Sequence, residues 1–194
     1  MREFDADYLR ETRRGMWADS RAALSGLGLE TRDRVLDVGC GEGALTRVLR
    51  EESSGEVVGC DRDAGLLAEL EGPTVQGDAY CLPFAEGRFD LVVCQALLIN
   101  LPEPGRAIEE FARVSRDLVA CIEPDNGAVT IESSVESEGR LAGQARRRYL
   151  AGVDADVDLG SDAADLLRSA GLSDVTTTRY EQTLAIEPPY SDAD

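Results

Sequence analysis

The chain has 194 residues, a length at which one α/β domain buries a substantial core. It carries 38 acidic and 20 basic residues, a formal net charge of −18, and every basic residue is Arg because Lys and His are absent. This balance argues against a general nucleic-acid-binding surface, since phosphates require clustered basic side chains. No apolar run approaches the ~18 residues of a membrane span, and no signal-peptide pattern is present. We therefore expect a cytoplasmic protein with neither membrane nor nucleic acid as a partner.

The acidic, lysine-free composition has two interpretations. A surface of this charge repels itself in dilute buffer and stays solvated when molar salt screens it, which predicts a halophilic source. Compositional drift in a GC-rich genome would explain Arg in place of Lys, but not the excess of acids.

The first residues differ from the rest in charge. Residues 1–34 hold seven Arg and seven acids, so the whole excess of acids lies in residues 35–194. The neutral segment is either a cover packed on an anionic body or an ordinary solvated helix. We expect a single domain over 1–194, with a helical N-terminal cover (1–34), a ligand-binding core (35–124) and a C-terminal half (125–194).

Short β-branched runs alternate with helical patterns through the core. We predict strands at 35–38, 56–60, 74–76, 89–94 and 118–122, and helices at 44–51, 64–70 and 106–115. This alternation predicts an α/β fold with a doubly wound, Rossmann-like, mainly parallel sheet. Ligands of such sheets bind at the carboxyl ends of the strands, where the strand order reverses.

The pattern is looser after the fifth strand. Residues 132–151 and 161–170 predict two helices, the second capped by Ser161 or Asp162 and ended by Gly171. Residues 175–186 are strongly β-prone.

A glycine turn follows the first strand in the stretch RVLDVGCGEGAL. Gly39, Gly41 and Gly43 stand between a strand and a helix, which lets a ligand approach main-chain N–H groups. A dinucleotide fingerprint has its third glycine one residue later, where this chain has Ala44. Carboxylates at Asp37 and Glu42 would also repel a pyrophosphate, so the turn suits a ligand with a cationic amine or sulfonium.

Acidic residues end the next two strands. Asp61 follows the second strand, where a carboxylate can accept hydrogen bonds from both ribose hydroxyls. Asp78 follows the third strand, where its carboxylate and nearby N–H groups can contact an adenine edge. Each acid alone could be a strand-end cap, but together they predict a nucleoside.

Four ordered stretches carry a resemblance to a known family: VLDVGCGEG, VVGCDRD, GDAYCLPFAEGRFDLVV and CQALLINLPEPGRAIEEFARV. From about residue 35 to 124 the chain resembles the class I S-adenosylmethionine-dependent methyltransferases, especially the small-molecule branch with the quinone-biosynthesis C-methyltransferases. The family's sheet ends in an antiparallel pair. Residues 175–186 supply at most its first strand, unless Glu181 and Gln182 turn the stretch into a hairpin. We therefore expect the last antiparallel strand to be missing and the substrate-side half, 125–194, to be truncated.

The resemblance implies a cofactor site. It implies that the methionine part of S-adenosylmethionine lies against Asp37, Gly39, Cys40 and Gly41. The ribose would be held by Asp61, and the adenine by Arg62, Asp78 and Ala79. Cys94 and Gln95 would border the reactive methyl group.

The substrate side departs from the family. Two histidines are common after the fourth strand, and Ile99 and Asn100 occupy those places here. Because His and Lys are absent, a general base must be a carboxylate, Tyr, Cys or water. Glu123, at the end of the fifth strand, is the candidate, although it could equally be a polar residue of the rim.

These features predict methyl transfer from S-adenosyl-L-methionine to a small-molecule acceptor by in-line displacement, with S-adenosyl-L-homocysteine as product. One alternative is an S-adenosylmethionine-binding protein without catalysis. Another is an NAD(P)-dependent oxidoreductase, which the glycine spacing and Glu42 disfavour. The five cysteines contain no C-x-x-C pair, so we expect core residues and no metal site.

Overall fold

A computed structural model describes residues 21–130, 135, 137–152 and 159–180. Most of the predicted N-terminal cover, 1–34, lies outside these residues, as do residues 181–186 of the predicted final strand.

Five parallel strands form one sheet. Their order is β3-β2-β1-β4-β5, and every neighbouring pair is parallel. Their bounds are β1 Arg34–Val38, β2 Glu56–Asp61, β3 Thr74–Gln76, β4 Phe89–Gln95 and β5 Ser115–Ile122. The strand order reverses between β1 and β4, as the predicted doubly wound fold requires.

Five α-helices are present among the described residues. Their bounds are α1 Ala44–Glu52, α2 Ala64–Leu67, α3 Pro104–Val114, α4 Glu138–Ala151 and α5 Leu159–Ser169. Four 3-10 turns accompany them, at Ala22–Leu24, Leu29–Thr31, Leu98–Asn100 and Asn126–Ala128. Helix α3 begins two residues earlier than predicted because proline is well tolerated at the first helical position.

Three predictions beyond the fourth strand need correction. β5 begins at Ser115, directly after α3, and not at residue 118. Helix α5 begins at Leu159, so Ser161 and Asp162 lie inside its first turn and do not cap it. Residues 175–180 form no strand, since β propensity is realised only where a strand finds a partner.

The sheet has an apolar layer on each face. On one face, α3 and α5 pack on alternate residues of β1, β2 and β4, and the layer includes Leu36, Val38, Val58, Val92, Ile108, Phe111 and Leu159. On the other face, α1 and the two 3-10 turns before β1 cover Val35, Val57, Leu91 and Val93. Because both faces are covered, the central strands are mostly apolar on both faces, as in other parallel sheets.

Asp90 fastens the amino end of the sheet. Its buried carboxylate accepts hydrogen bonds from the backbone N–H groups of Asp33, at 2.7 Å, and Arg34, at 3.1 Å. The guanidinium of Arg116 donates a further bond at 3.2 Å. One side chain of β4 therefore joins the starts of β1 and β5.

The turn between β1 and α1 favours glycine at positions 39 and 43. Gly39 and Gly43 have φ angles of +69° and +86°, in the left-handed region. A Cβ at Gly43 would overlap Leu70 Cδ1, and one at Gly39 would lie 2.7 Å from Leu97 Cδ1. A side chain at either position would be strained by the left-handed backbone and would require the neighbouring leucine to shift.

None of the helices in the described ranges combines the length and the apolar character that crossing a membrane requires.

Replacing Asp90 by Ala should lower the free energy of unfolding by about 1–3 kcal/mol, because two part-buried backbone N–H groups and the guanidinium of Arg116 lose their acceptor. The matched control is Asp33→Ala, whose side chain is 86% exposed and whose ion pair with Arg116 should contribute at most about 0.5 kcal/mol. Urea denaturation measures both, and equal losses would contradict the assigned role of Asp90.

Gly43→Ala should lower the free energy of unfolding by about 2–4 kcal/mol, through the clash with Leu70 and the left-handed backbone. Gly105, inside α3, has no heavy atom within 4 Å of an added Cβ. Gly105→Ala should therefore stabilise the protein by about 0.5 kcal/mol through helix propensity. Thermal unfolding of the two variants should show shifts of opposite sign.

The acidic composition predicts a salt response. Among the described carboxylates only Asp37, Glu42 and Asp90 are buried, so the others can repel one another across the surface. At about 1 M KCl the Debye length falls to about 3 Å, which screens that repulsion. The midpoint of thermal unfolding should rise steadily from low salt to this concentration, and a flat or falling midpoint would contradict the halophilic interpretation.

Candidate cofactor-binding site

The carboxyl ends of β1, β2 and β4 meet at the reversal of strand order. Val38 pairs with Cys60 on one side and with Cys94 on the other. The carbonyl of Cys60 accepts hydrogen bonds from the N–H groups of Gly39, at 2.7 Å, and Cys40, at 3.1 Å. The glycine turn is thereby held to the end of β2.

Asp61 makes the central polar contact of this edge. One carboxylate oxygen accepts the backbone N–H of Gly41 at 2.8 Å, and the other accepts that of Asp63 at 2.9 Å. The side chain remains partly exposed. A carboxylate has about four acceptor positions, so Asp61 can accept further hydrogen bonds from a ligand while it holds the turn.

Asp37 lies beneath the turn. It is only 1% exposed, and its carboxylate accepts a 2.6 Å hydrogen bond from the hydroxyl of Thr46 in α1. Glu42 is also buried, at 5% exposure. The Asp37–Thr46 bond joins the end of β1 to the first turn of α1, so Asp37 supports the shape of the turn.

The predicted adenine residues lie along the ends of β2 and β3. Arg62 and Asp78 are exposed, and Ala79 is partly buried. Gln76 donates a 2.9 Å hydrogen bond from its amide to the carbonyl of Arg62, and Asp78 accepts the N–H of Tyr80 at 2.9 Å. These bonds bring the two strand ends together and leave polar groups at the surface.

Helix α3 holds the segment that follows Asp78. Glu110 accepts the N–H of Leu82 at 2.9 Å, and Arg113 donates to the carbonyls of Leu82 and Phe84 at 3.0 and 2.8 Å. The Arg113 guanidinium lowers the pKa of Glu110. Sequence analysis missed this pair, although an acid and an Arg three residues apart on one helix are a recognisable signal.

The cysteines of the site are buried thiols. Burial raises the pKa of Cys40 well above its ordinary value and that of Cys60 to about 12, and nearby carboxylates contribute to both shifts. Cys94 is fully buried, and its raised pKa has Cys121 as the largest cause, followed by burial. None of the three is a thiolate nucleophile at neutral pH, because only the thiolate reacts.

Cys94 and Gln95 therefore face the interior. Cys94 is 0% exposed and Gln95 is 5% exposed. Because both side chains are covered, a ligand at this edge would meet the backbone of the strand end.

Glu123 lies beside the segment that follows β4. Its carboxylate accepts the backbone N–H groups of Leu97 and Leu98, both at 3.0 Å, and that of Ile99 at 3.4 Å. The Cys94 thiol lies 3.6 Å from the same carboxylate. Burial raises the pKa of Glu123, and the three N–H donors offset part of that rise.

Leu97 and Thr46 are two further site residues that the sequence did not single out. Leu97 lies against Gly39, and Thr46 against Asp37. Neither residue carries a distinctive sequence pattern, because an apolar residue and a helical Thr are common everywhere in a core.

The donors and acceptors present fit a nucleoside with a cationic centre. Asp61 can accept hydroxyl donors, Asp78 offers a carboxylate near exposed backbone, and the turn contributes no cationic side chain for a phosphate. The residues of this edge thus fit S-adenosylmethionine better than a pyrophosphate.

Comparison with known proteins agrees with this geometry. Residues 36–121 match a family described as "Methyltransferase domain". A demethylmenaquinone methyltransferase from Beutenbergia cavernae is 37% identical over 101 residues, which are 50% of this chain and 42% of that protein. The chain spans about half the length of the curated relatives it matches.

Two solved structures share the fold. An S-adenosylmethionine-dependent methyltransferase from Aquifex aeolicus has a TM-score of 0.62 at 19% identity, over 87% of this chain and 89% of that one. Haemonchus contortus phosphoethanolamine N-methyltransferase 2, solved with phosphomonomethylethanolamine and S-adenosylhomocysteine, has a TM-score of 0.59 at 18% identity, over 82% and 38%. Residues 36–121 are therefore similar to a methyltransferase domain, and the fold is the one that these solved methyltransferases share.

Proposed function

We propose that the whole protein transfers the methyl group of S-adenosylmethionine to a small-molecule acceptor and releases S-adenosylhomocysteine. The observation that carries this proposal is the contact of Asp61 with Gly41 at 2.8 Å. It joins a carboxylate suited to ribose with a glycine turn suited to the rest of the cofactor. The demethylmenaquinone methyltransferase relative, named for a small-molecule substrate, supports an acceptor of that class.

The nucleoside would lie over the ends of β2 and β3. Asp61 accepts the ribose hydroxyls while it keeps its bonds to Gly41 and Asp63. Arg62 covers the adenine ring, and Asp78 and Ala79 meet its edge. Arg62 and Asp78 are both exposed at this edge, where a base can reach them.

The methionine part would lie against the glycine turn. Gly39, Cys40 and Gly41 contact it through their backbone, because Cys40 is only 4% exposed. Asp37 acts from beneath, by fixing the turn through Thr46. Cys94 and Gln95 border the methyl group through the backbone at the end of β4.

When bound, S-adenosylmethionine supplies a methyl group activated by a sulfonium. The chain contributes mainly position: the turn and the segment after β4 hold the two sides of the site, and a near-attack arrangement of acceptor and methyl is a large part of such catalysis. The segment at 96–100 and the rim after β5 form the acceptor side in this proposal.

Asp61→Ala should weaken S-adenosylmethionine binding by roughly 10- to 100-fold, the contribution of charge-assisted hydrogen bonds to the ribose. Asp61→Asn keeps one acceptor oxygen and should lose less affinity. The control is Asp165→Ala, an exposed acid of α5 that pairs with Arg168. Calorimetric titration in molar KCl measures the affinity of all three variants for S-adenosylmethionine, and a separate titration measures binding of NAD.

Saturable binding of NAD and none of S-adenosylmethionine would overturn the proposal in favour of an oxidoreductase. A second assay separates an enzyme from a non-catalytic binder. Incubation of the protein with S-adenosylmethionine and a small-molecule cell extract should produce S-adenosylhomocysteine. Binding without this product would favour the non-catalytic alternative.

A further inference from the structure

The segment after β4 holds a strained conformation. Ala96 has a φ angle of +47°, in the left-handed region that non-glycine residues rarely adopt. Its N–H donates to the carbonyl of Ile122 at 2.9 Å, and its own carbonyl accepts the side-chain amide of Asn100 at 2.8 Å. Such a conformation persists only where the surroundings impose it, and it is often found at functional sites.

Glu123 supplies the acceptor that this segment needs. The N–H groups of Leu97, Leu98 and Ile99 lie at the start of the 3-10 turn Leu98–Asn100. The first N–H groups of any helix have no hydrogen-bond partner within that helix. The carboxylate of Glu123 accepts all three, and the Cys94 thiol points to the same oxygen as two of them.

The anchored segment reaches the glycine turn through Leu97. The Leu97 side chain occupies the space where a Cβ of Gly39 would lie, 2.7 Å from Leu97 Cδ1. A shift of the segment would therefore move the contact that closes one side of the turn. This is a direct physical connection from the end of β5 to the end of β1.

We propose that Glu123 is a positioning residue, whose hydrogen bonds to residues 97–99 hold Leu97 against Gly39 and so shape the cofactor site. The role differs from that of a general base, for which Glu123 was the candidate in the sequence, and its effect on the cofactor rests on the proposed function. A carboxylate that is surrounded by four hydrogen-bond donors holds a segment in place. A general base instead needs a lone pair that faces the substrate that accepts the methyl group.

The test compares Glu123→Ala and Glu123→Gln with the wild-type chain. Gln keeps an oxygen in the place of the one that accepts Leu97 and Leu98, whereas Ala removes every acceptor. The control is Glu109→Ala, an exposed acid of α3. Two quantities are measured: amide hydrogen exchange at residues 97–99, and the Kd for S-adenosylmethionine by calorimetry.

Glu123→Ala should speed exchange at residues 97–99 by roughly tenfold or more, because opening of the segment becomes easier. It should raise the Kd by roughly 10- to 100-fold, as misplacement of a binding group does. Glu123→Gln should stay within about fivefold in both, the contribution of one weak hydrogen bond. A residue that acts only as a base would leave both quantities at the Glu109→Ala values, and that result would overturn the proposal.

Leu97→Ala keeps the test decisive if Glu123→Ala does not fold. This variant retains the backbone donors and removes the contact with Gly39. It should raise the Kd with little change in exchange at residues 98 and 99, and an unchanged Kd would overturn the proposal. Amide hydrogen exchange is measured without ligand and therefore tests the anchoring by Glu123 independently of the cofactor. If the wild-type chain failed to bind S-adenosylmethionine, that result would contradict the proposed function.

Discussion

Parallel pairing of all five strands is the constraint from which the site follows. Parallel strands place their carboxyl ends at one edge, and the chain leaves β1 and β4 toward opposite faces of the sheet. A crevice therefore opens where these strands adjoin. Gly39, Asp61 and Leu97, which are far apart in the chain, become neighbours at this edge because Val38 pairs with both Cys60 and Cys94.

Three carboxylates hold parts of the fold together, of which Asp90 and Asp37 are buried and Glu123 is partly buried. Asp90 accepts N–H groups at the amino end of the sheet, Asp37 accepts a hydroxyl under the glycine turn, and Glu123 accepts three N–H groups at the opposite end of the sheet from Asp90. Burial of a charge is costly unless donors surround it, and backbone N–H groups are strong donors to an ion. An acid-rich chain without Lys thus uses some of its acids to fasten strand starts, the glycine turn and the segment after β4.

In the proposed function, catalysis would depend on placement more than on reactive side chains. The thiols of Cys40, Cys60 and Cys94 have raised pKa values, and the amide of Asn100, at a family histidine position, is bonded to the carbonyl of Ala96. Methyl transfer tolerates this, since the cofactor carries the activated group and the protein contributes orientation.

The sequence by itself determined the sheet, the glycine turn and the acids at successive strand ends. Local patterns carry this information: apolar runs bounded by glycine define the strands, and the spacing of Gly39, Gly41 and Gly43 selects the class of ligand. The five strands of the structure agree with this reading, apart from the earlier start of β5 at Ser115. Two regions were predicted less well. Residues 175–180 have strand propensity but form no strand, and α5 begins at Leu159 and not at residue 161.

Only the tertiary structure decided what each polar side chain does. Asp37 and Asp61 are both acids at strand ends, yet one is buried under a turn and the other is partly exposed beside it. Glu123 resembles a base in the sequence and anchors a segment in the structure. These roles depend on contacts between residues distant in the chain, and such contacts leave no periodic trace because they arise only when the strands have paired.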